Sequence, residues 1–428
     1  MKNQSGNVAI GTAKMEYVSF GRGDHTLIIL PGLSDGLATV KGKAWILSLN
    51  YRMFFTRYRV YIFSRKEPLP MENSIRQMAD DQATAMRMLG IRKASVLGVS
   101  QGGMIALSLA AEYPDLVENL ILAVTAPFAN DTVRSCVRDW MESAERGNHR
   151  ELMIQTAEKS YSSAYLKRYR RYYPLLGFIG KPKTYTRFMA NAQAILQFDM
   201  RDELERITCP ALIIGGDEDR IVGIQASYEL HKGIKDSRLV VYAGLGHAAY
   251  EEASDFNPRI LSFLEGQAVP EPVICLVRPA REDLWFRQML LSDAKTMSYN
   301  DAWGGTIPFQ PDQWEAWSDR WLSSDESSRF YRYLRDESSG ALIGEVSCRR
   351  DPDRDIWLCD IIIAAWERNR GYGTIGLRLL CEEAKRHGIH AVHDEIAANN
   401  PSIDLFIREG FHEQSRTETA VLLKKKLF

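Results

Sequence analysis

Residues 94–110 read ASVLGVSQGGMIALSLA and place the pentapeptide GVSQG, residues 98–102, between an apolar run and a helical pattern. The apolar run predicts a buried strand, and the pattern after it predicts a helix. A G-x-S-x-G sequence suits a very tight strand-to-helix turn, because larger side chains two residues before or after the serine would collide there. Such a turn exposes the serine hydroxyl and leaves the Gln101 amide free to bind a developing negative charge. Ser100 is therefore a candidate nucleophile.

A serine nucleophile needs a positioned base and an acid that orients the base. Downstream, the strand pattern PALIIGG is followed by the acidic run at 217–219, and the pattern RLVVYAG is followed by a loop that contains His247. The carboxyl ends of parallel strands meet at one edge of a sheet, so both loops should lie at the edge where Ser100 emerges. The sequence thus predicts His247 as the base and leaves the acid open within 217–219.

The first half of the chain alternates apolar runs with helical patterns. Runs of four to six apolar residues, such as TLIIL and NLILAV, are separated by helices. This alternation predicts an α/β fold with a mainly parallel sheet covered on both faces. Between residues 127 and 207 the pattern is wholly helical, which predicts a cap over the edge of the sheet.

The bulk composition limits the classes of function. The chain has 428 residues, 45% hydrophobic and 25% charged, with a formal net charge of −1. This length exceeds one ordinary hydrophobic core, and the balanced charge gives no electrostatic reason to bind nucleic acid or an anionic membrane. No signal peptide, membrane span or metal-binding cysteine pair is predicted, and the six scattered cysteines are expected to be reduced. We therefore expect a cytoplasmic protein that acts on small molecules.

A segment rich in proline and glycine divides the chain. The sequence EGQAVPEP at 265–272 follows a helical pattern and precedes a strand-like run, which predicts an exposed linker between domains 1–264 and 273–428. In the second domain three strand patterns follow one another with short gaps, and then a glycine loop, a helix, a strand and a further helix are predicted. This order is typical of an α+β fold.

The serine motif, the segment ILPGLSDG at 29–36 and the two downstream loops resemble the α/β-hydrolase superfamily over residues 8–264. The resemblance implies a mainly parallel sheet with a helical cap. It also implies Ser100 as nucleophile, Asp219 as orienting acid and His247 as base. The activity implied is hydrolysis of an ester, thioester, lactone or activated carbon–carbon bond.

The same resemblance bears on the acid and on the oxyanion hole. It favours Asp219 over Asp217, because the family usually places the acid a little beyond the glycine pair. It implies that the Leu33 and Gln101 amides bind the oxyanion. The family usually has a histidine where this chain has Pro31, which leaves the main-chain role of Leu33 available.

A second glycine motif lies at 367–380, ERNRGYGTIGLRLL. Its G-x-G-x-x-G spacing is that of a dinucleotide loop, but a charged turn separates the glycines from the preceding strand, and too few residues follow to complete such a fold. The stretch is also R-x-x-G-x-G, with Arg368, Arg370, Gly371 and Gly373, directly before an amphipathic helix. Small residues let successive amides face one anion at a helix N-terminus, and arginines add charge. The sequence therefore predicts a phosphate-binding loop.

Together with NNPSIDLFIREGF at 399–411, this loop resembles the GNAT N-acetyltransferases over about residues 273–428. The resemblance implies a GNAT fold with acetyl-CoA as co-substrate and no metal. The pyrophosphate would bind the glycine loop, and the pantetheine arm would contact the main chain of the strand DIWLCDIIIAA. The implied acetyl-CoA-binding residues are Ile363, Arg368, Arg370, Gly371, Gly373, Thr374 and Asn399.

The chemistry of this second site is less completely specified. The family commonly has a tyrosine that protonates the departing thiolate, and this chain has Phe406 there. Another acid or water must then supply the proton. Candidate bases for the acceptor amine are Glu345 and Asp360, which lie on strands that flank the expected acetyl position.

The leading hypothesis is a bifunctional enzyme, with a serine hydrolase fused to an acetyl-CoA-dependent N-acetyltransferase. An alternative makes the second domain a non-catalytic acyl-CoA-binding module that regulates or assembles the hydrolase. In a third possibility the hydrolase half transfers its acyl group to an acceptor other than water. The sequence names neither substrate and does not predict an oligomeric state.

Overall fold

The computed structural model describes residues 4–178, 180–267, 273–322 and 325–428. The chain divides into two compact units, Met1–Ala268 and Val269–Phe428. The predicted linker at 265–272 lies where they divide, but its residues 268–272 fall outside the described residues. The domain boundaries stay a prediction.

The first unit contains an α/β arrangement. Its strands are β1 (Gln4–Ile10), β2 (Ala13–Gly21), β3 (His25–Leu30), β4 (Tyr58–Glu67), β5 (Ala94–Val99), β6 (Val117–Ala123), β7 (Ala211–Gly216) and β8 (Ser237–Tyr242). Its α-helices are α1 (Ala44–Asn50), α2 (Ile75–Met88), α3 (Gln101–Glu112), α4 (Asp131–Glu145), α5 (His149–Ser160), α6 (Ser163–Tyr169), α7 (Thr186–Leu196), α8 (Ile224–Gly233), α9 (Ala249–Glu252) and α10 (Phe256–Leu264). Short 3-10 helices span Leu33–Gly36, Arg52–Phe54, Arg170–Gly177 and Arg201–Arg206.

Within the described residues, eight strands form one sheet in the order β1-β2-β4-β3-β5-β6-β7-β8. The pairs β1–β2 and β2–β4 are antiparallel, and the pairs from β4 to β8 are parallel. Strands β5 and β7 are buried along their whole length, because helices cover both faces of a parallel sheet. The predicted mainly parallel sheet is confirmed, and the loops after β5, β7 and β8 leave it at the same edge.

The predicted helical insertion is present between β6 and β7, where α4 to α7 follow one another. Main-chain hydrogen bonds join the start of the insertion to its end. Ala129 N donates to Phe198 O at 2.9 Å, and Met200 N donates to Pro127 O at 2.8 Å. The Asn130 side chain caps α4 by accepting a hydrogen bond from the amide three residues later, at 2.9 Å. The insertion is therefore helical, and its first and last segments are held together where they meet the sheet.

The second unit is α+β. Its strands are β9 (Ile274–Val277), β10 (Arg329–Asp336), β11 (Leu342–Asp351), β12 (Ile356–Ile363), β13 (Ala391–Ala397), β14 (His412–Arg416) and β15 (Ala420–Lys426). Its α-helices are α11 (Leu284–Ser292), α12 (Trp314–Trp321), α13 (Tyr372–Arg386) and α14 (Ile403–Arg408). Short 3-10 helices span Arg281–Asp283, Thr296–Trp303, Pro311–Gln313 and Ala365–Glu367.

The described strands of this unit form one sheet in the order β14-β15-β13-β12-β11-β10-β9. Strands β9 to β12 pair antiparallel, as the predicted meander requires. Strands β12 and β13 are parallel, and the described pairing between them joins Leu358 to His393. The sheet therefore opens between these two central strands, beside the start of α13.

Candidate active sites

Ser100 occupies a strained turn between β5 and α3. Its φ of 53° lies in a region that residues other than glycine rarely adopt. Such a backbone conformation costs about 1–3 kcal/mol. Its amide donates to Ala123 O at 2.9 Å, and Thr125 Oγ1 donates to its carbonyl at 2.7 Å, so the neighbouring strand holds the turn. A Cβ atom on Gly98 would lie 2.4 Å from the Gly102 carbonyl oxygen, which is the steric conflict that the glycines avoid.

His247 and Asp219 form a buried pair on the loops after β8 and β7. His247 Nδ1 lies 2.8 Å from Asp219 Oδ2. The other carboxylate oxygen accepts hydrogen bonds from the amides of Ile221 at 2.8 Å and Val222 at 3.0 Å. A carboxylate held in this way favours the tautomer of the His247 imidazole that carries its proton on Nδ1. That tautomer leaves Nε2 free to act as a base. The described residues show no hydrogen bond between the Ser100 hydroxyl and the His247 ring.

The neighbouring acid Asp217 has a different contact. Its Oδ1 accepts a hydrogen bond from the Gly244 amide at 2.7 Å, which ties together the loops after β7 and β8. The structure thus brings Asp219 to His247 and uses Asp217 to brace the loop that carries it.

Replacing Asp219 by asparagine should lower kcat for ester hydrolysis by about 10³–10⁴-fold, because the amide stabilises the wrong imidazole tautomer. The matched variant Asp217→Asn keeps an oxygen acceptor for Gly244 and should change kcat by less than about tenfold. Steady-state kinetics with p-nitrophenyl acetate compares the two. Equal losses in both variants would contradict the assignment of Asp219.

The predicted oxyanion amides lie close to the serine. Leu33 starts the 3-10 helix after β3, and Gln101 starts α3. Neither amide donates a hydrogen bond to a described residue. A Cβ atom on Gly32 would lie 3.3 Å from Ser100 Cβ, so the loop before Leu33 passes directly beside the serine. Unengaged N–H groups in this position suit a developing oxyanion.

A cluster of buried charges that the sequence analysis did not identify supports these amides. Nη2 of Arg65 donates to Pro31 O at 2.6 Å and to Gln101 Oε1 at 3.0 Å. Asp35 Oδ2 accepts from the Arg65 amide at 3.0 Å and from Arg187 Nη2, on cap helix α7, at 2.6 Å. Burial lowers the pKa of Arg65 to about 10, although the Asp35 charge opposes this shift. Arg65 thus links the loop at Pro31 to the side chain of Gln101 at the start of α3, beside the two candidate oxyanion amides.

In the second unit, the glycine loop presents free backbone amides at the start of α13. Gly371 has a φ of 83°, and Asn369 has a φ of 65°. The amides of residues 371–374 donate no hydrogen bond within the described residues, and the helical bonds begin with Ile375 N to Gly371 O at 3.3 Å. Successive free amides at the N-terminus of a long helix suit an anionic group.

The two predicted arginines of this loop are engaged within the protein. The Arg368 guanidinium donates to the carbonyl oxygens of Lys295 at 3.1 Å and Thr296 at 2.5 Å. Arg370 Nη1 lies 2.9 Å from Glu367 Oε2. Arg368 therefore fastens the loop to the segment after α11, and the unengaged backbone amides remain the candidate anion ligands.

A cleft of about 1070 Å³ lies where β12 and β13 separate. Six predicted acetyl-CoA contacts and both predicted bases line it, namely Ile363, Arg368, Gly371, Gly373, Thr374, Asn399, Glu345 and Asp360. Arg370 is not among the described residues that line the cleft. The structure therefore gathers the predicted residues of the second site, except Arg370, around one cavity.

The two candidate bases differ in their surroundings. Arg287 and the Tyr331 hydroxyl both donate to the Glu345 carboxylate. The Arg287 guanidinium also lies 4.9 Å from the ring centroid of Trp317, which holds it in place. The Glu345 carboxylate is thus already engaged by two donors of the protein.

Asp360 faces the open cleft and carries no comparable ion pair among the described residues. Desolvation by the surrounding walls raises its pKa, while Arg349 and a 3.3 Å hydrogen bond from Ser347 act in the opposite direction. Asp394, which the sequence analysis did not assign, lines the same cleft. Burial, followed by the charge of Asp360, raises the pKa of Asp394 well above its usual range. Asp394 directly follows His393, which pairs with Leu358 of β12.

Residues 26–254, more than half of the chain, match the family model described as alpha/beta hydrolase fold. This chain belongs to the alpha/beta hydrolase fold family. Residues 293–411 match the model of the Acetyltransferase (GNAT) family, so the second unit carries a GNAT domain. In that domain Phe406 is buried and packs edge-to-face on Phe411 at a centroid distance of 5.0 Å, and its ring offers no proton to a leaving thiolate.

Individual relatives are also hydrolases. The chain is 25% identical over 258 residues to the putative carbamate hydrolase RutD of Caulobacter sp. (strain K31), covering 57% of this chain and 92% of that protein. It is 27% identical over 277 residues to the serine hydrolase BPHL of Homo sapiens, covering 61% of this chain and 86% of that protein. It is similar to the crystal structure of MGS-M2, an alpha/beta hydrolase enzyme from a Medee basin deep-sea metagenome library, with a TM-score of 0.54 and 20% identity, covering 62% and 98% of the two chains. The last likeness shows the fold alone.

The described residues lack two further features. None of the described helices is long and apolar enough to cross a membrane. The described residues also contain no group of three or more His, Cys, Asp or Glu that could hold a metal ion.

Proposed function

We propose that this chain is a bifunctional enzyme. A serine hydrolase in domain 1–264, with its cap at about 127–207, cleaves an ester, thioester or lactone of a small metabolite. A linker at 265–272 leads to domain 273–428, which transfers an acetyl group from acetyl-CoA to an amine. We place the enzyme in the cytoplasm, in keeping with its free cysteines. The observation that carries the hydrolase proposal is the buried His247–Asp219 pair at the sheet edge where the strained Ser100 emerges.

In the proposed hydrolase reaction, Ser100 attacks the carbonyl carbon of the substrate. His247 takes the serine proton and gives it to the leaving group, while Asp219 keeps the imidazole oriented. The amides of Leu33 and Gln101 stabilise the oxyanion, and water then releases the acyl group. The named relatives support this class of reaction, since one is a serine hydrolase and another a putative carbamate hydrolase.

In the proposed transferase reaction, the backbone amides of Gly371, Gly373 and Thr374 bind the pyrophosphate of acetyl-CoA. Ile363, at the end of β12, offers its main chain to the pantetheine arm, and Asn399 also lines the cleft. Arg368 holds the loop in shape, and Arg370 adds positive charge outside the cleft. Of the two predicted bases, Asp360 suits proton removal better than Glu345, which is paired with Arg287.

Product analysis of the full chain tests the two activities together. With a panel of acetyl, butyryl and lactone substrates, we expect free acids to form without acetyl-CoA. With acetyl-CoA and a panel of amines, we expect free CoA and N-acetylated products in equal amounts. A chain that hydrolyses none of these substrates would contradict the hydrolase proposal. Acyl capture by added alcohols or amines, instead of hydrolysis, would assign the first domain to acyl transfer.

Phe406 favours one alternative, in which the GNAT domain binds acyl-CoA without catalysis and regulates or assembles the hydrolase. Because phenylalanine cannot protonate a thiolate, such a domain keeps the cofactor cleft but lacks one common catalytic group. Calorimetric titration separates the two. Acetyl-CoA binding without transfer to any amine supports the binding module, and the absence of binding would contradict both proposals for this domain.

A further inference from the structure

The cleft of the GNAT domain has an exposed apolar wall. Among the described residues that line it, Trp303 is 48% exposed and Ile307 is 44% exposed. Their segment is nevertheless well anchored, since Ile307 N donates to Leu291 O at 3.0 Å and Asn300 Nδ2 donates to Gly305 O at 2.8 Å. An anchored segment that leaves large apolar side chains open to a cleft marks a surface for an apolar ligand group.

Two aspartates line the same cleft. Asp360 and Asp394 lie on neighbouring strands where the sheet opens, and Asp394 is only 6% exposed. Neither carboxylate forms an ion pair with a described residue, whereas Glu395, on the same strand as Asp394, pairs with Arg354 at 3.0 Å. Arg349, Ser347 and Arg287 oppose the rise that desolvation causes in the pKa of Asp360. The backbone amide of Glu395 opposes the rise that burial causes in the pKa of Asp394.

A buried carboxylate without a counter-ion, such as that of Asp394, is costly unless it takes up a proton or a cation completes the site. The cleft is lined by both kinds of group, two carboxylates and the apolar side chains of Trp303 and Ile307. A ligand that contacts both kinds carries a positive charge and a bulky apolar group.

We propose that the acetyl acceptor is a primary amine on an aromatic or bulky apolar group, with its ammonium between Asp360 and Asp394 and its apolar group against Trp303 and Ile307. This inference rests on the proposed transferase function and names its substrate class. Asp394 thereby joins Asp360 as a residue that contacts the reacting nitrogen.

The chemistry balances with these groups. The ammonium gives one proton to a carboxylate, and the neutral nitrogen attacks the thioester carbonyl of acetyl-CoA. A carbon–nitrogen bond forms, the carbon–sulfur bond breaks, and the nitrogen loses a second proton as the amide forms. One of the two protons ends on the CoA sulfur and the other passes to solvent, which regenerates both carboxylates. A carboxylic acid in the cleft can thus supply the proton that Phe406 cannot.

Acetyl transfer by the full chain to three matched amines tests the proposal. We expect kcat/KM for 2-phenylethylamine to exceed that for ethylamine by at least about tenfold, because the phenyl group reaches the apolar wall. Phenylalanine carries the same ring with an added carboxylate, which the carboxylates of Asp360 and Asp394 repel. It should therefore react at least about tenfold more slowly than 2-phenylethylamine.

Variants locate the two ends of the acceptor. Trp303→Ala should lower kcat/KM for 2-phenylethylamine about tenfold more than for ethylamine. The control Ile407→Ala removes a side chain that is 45% exposed but is not among the described residues of the cleft, and it should leave this ratio unchanged. Asp394→Asn should lower kcat at least about 100-fold for both amines. The dissociation constant of the Asp394→Asn variant for acetyl-CoA should equal that of the wild type. Unchanged binding would show that the loss of kcat does not come from misfolding.

The possible outcomes distinguish this inference from the proposed function. Transfer that prefers ethylamine or phenylalanine would overturn the inference and leave the transferase standing. Transfer with no response to Trp303→Ala or Asp394→Asn would overturn it in the same way. If acetyl-CoA binds but none of the amines is acetylated, both the inference and the transferase proposal fail.

Discussion

Replacing Ser100 by alanine should lower kcat/KM for ester hydrolysis by at least about 10³-fold and leave acetyl-CoA-dependent transfer unchanged. The variant lacks the oxygen that attacks the carbonyl but keeps the Leu33 and Gln101 amides. The loss should therefore appear in kcat more than in KM. Steady-state assays of both activities on one preparation measure this, with a fluorophosphonate probe as a second readout. We expect the probe to label the wild-type chain and not the variant.

Two further variants sharpen this result. Ser100→Gly should be equally inactive but more stable by about 1 kcal/mol, because glycine accepts the φ of 53° without strain. Ser34→Ala removes an exposed serine next to Leu33 and should retain activity and labelling. Thermal unfolding followed by calorimetry compares the stabilities. Labelling that survives in Ser100→Ala would contradict the assignment of the nucleophile.

Replacing Gly373 by glutamate should weaken acetyl-CoA binding by about 100-fold. The new carboxylate lies among the free amides of residues 371–374, where it competes with the pyrophosphate for hydrogen bonds. It also repels the pyrophosphate by about 2–3 kcal/mol at a separation near 6 Å. An acidic residue in the first turn stabilises a helix, so α13 should persist. A Cβ atom here would lie 3.1 Å from Leu405 Cδ2, which is the end of a side chain that can adjust.

The matched control for Gly373→Glu introduces the same residue in the last turn of the helix. Lys385 is exposed there, and Lys385→Glu should change the dissociation constant for acetyl-CoA by less than about threefold at physiological salt. Isothermal titration calorimetry measures both variants, and ester hydrolysis serves as the check that the first domain is intact. Equal binding by Gly373→Glu and the wild type would exclude the loop as the pyrophosphate site.

Much of the fold could be predicted because its signals are local. The apolar runs that became β5 and β7 are buried at every position, and the helical insertion had no strand pattern within it. Strand β14 gave no such signal, since all five of its residues are exposed and show no alternation of apolar and polar side chains. It pairs with β15 through main-chain bonds, which a hydropathy pattern does not reveal.

The candidate sites show the same limit. Ser100, Asp219 and His247 each lie in a short pattern after an apolar run, so the sequence could name them, and their catalytic roles stay predictions. Arg187 and Asp35 are 152 positions apart, and only the folding of the cap brings Arg187 to Asp35, in the 3-10 helix that begins at Leu33.

The glycine loop shows a subtler difference between pattern and fold. Its sequence predicted anion binding by glycines and arginines together. In the structure the Arg368 guanidinium contacts main-chain carbonyl groups, because a loop with so few internal hydrogen bonds needs an anchor. A sequence pattern predicts which groups are available, and the tertiary contacts decide which of them remain free for a ligand.

The most direct test of two separate active sites in one chain is to label the protein with a fluorophosphonate, map the adduct by peptide mass spectrometry and titrate the labelled protein with acetyl-CoA. We predict a single adduct on Ser100 and a dissociation constant for acetyl-CoA within about twofold of the unlabelled value. An adduct on another residue, or loss of acetyl-CoA binding after labelling of Ser100, would contradict this account.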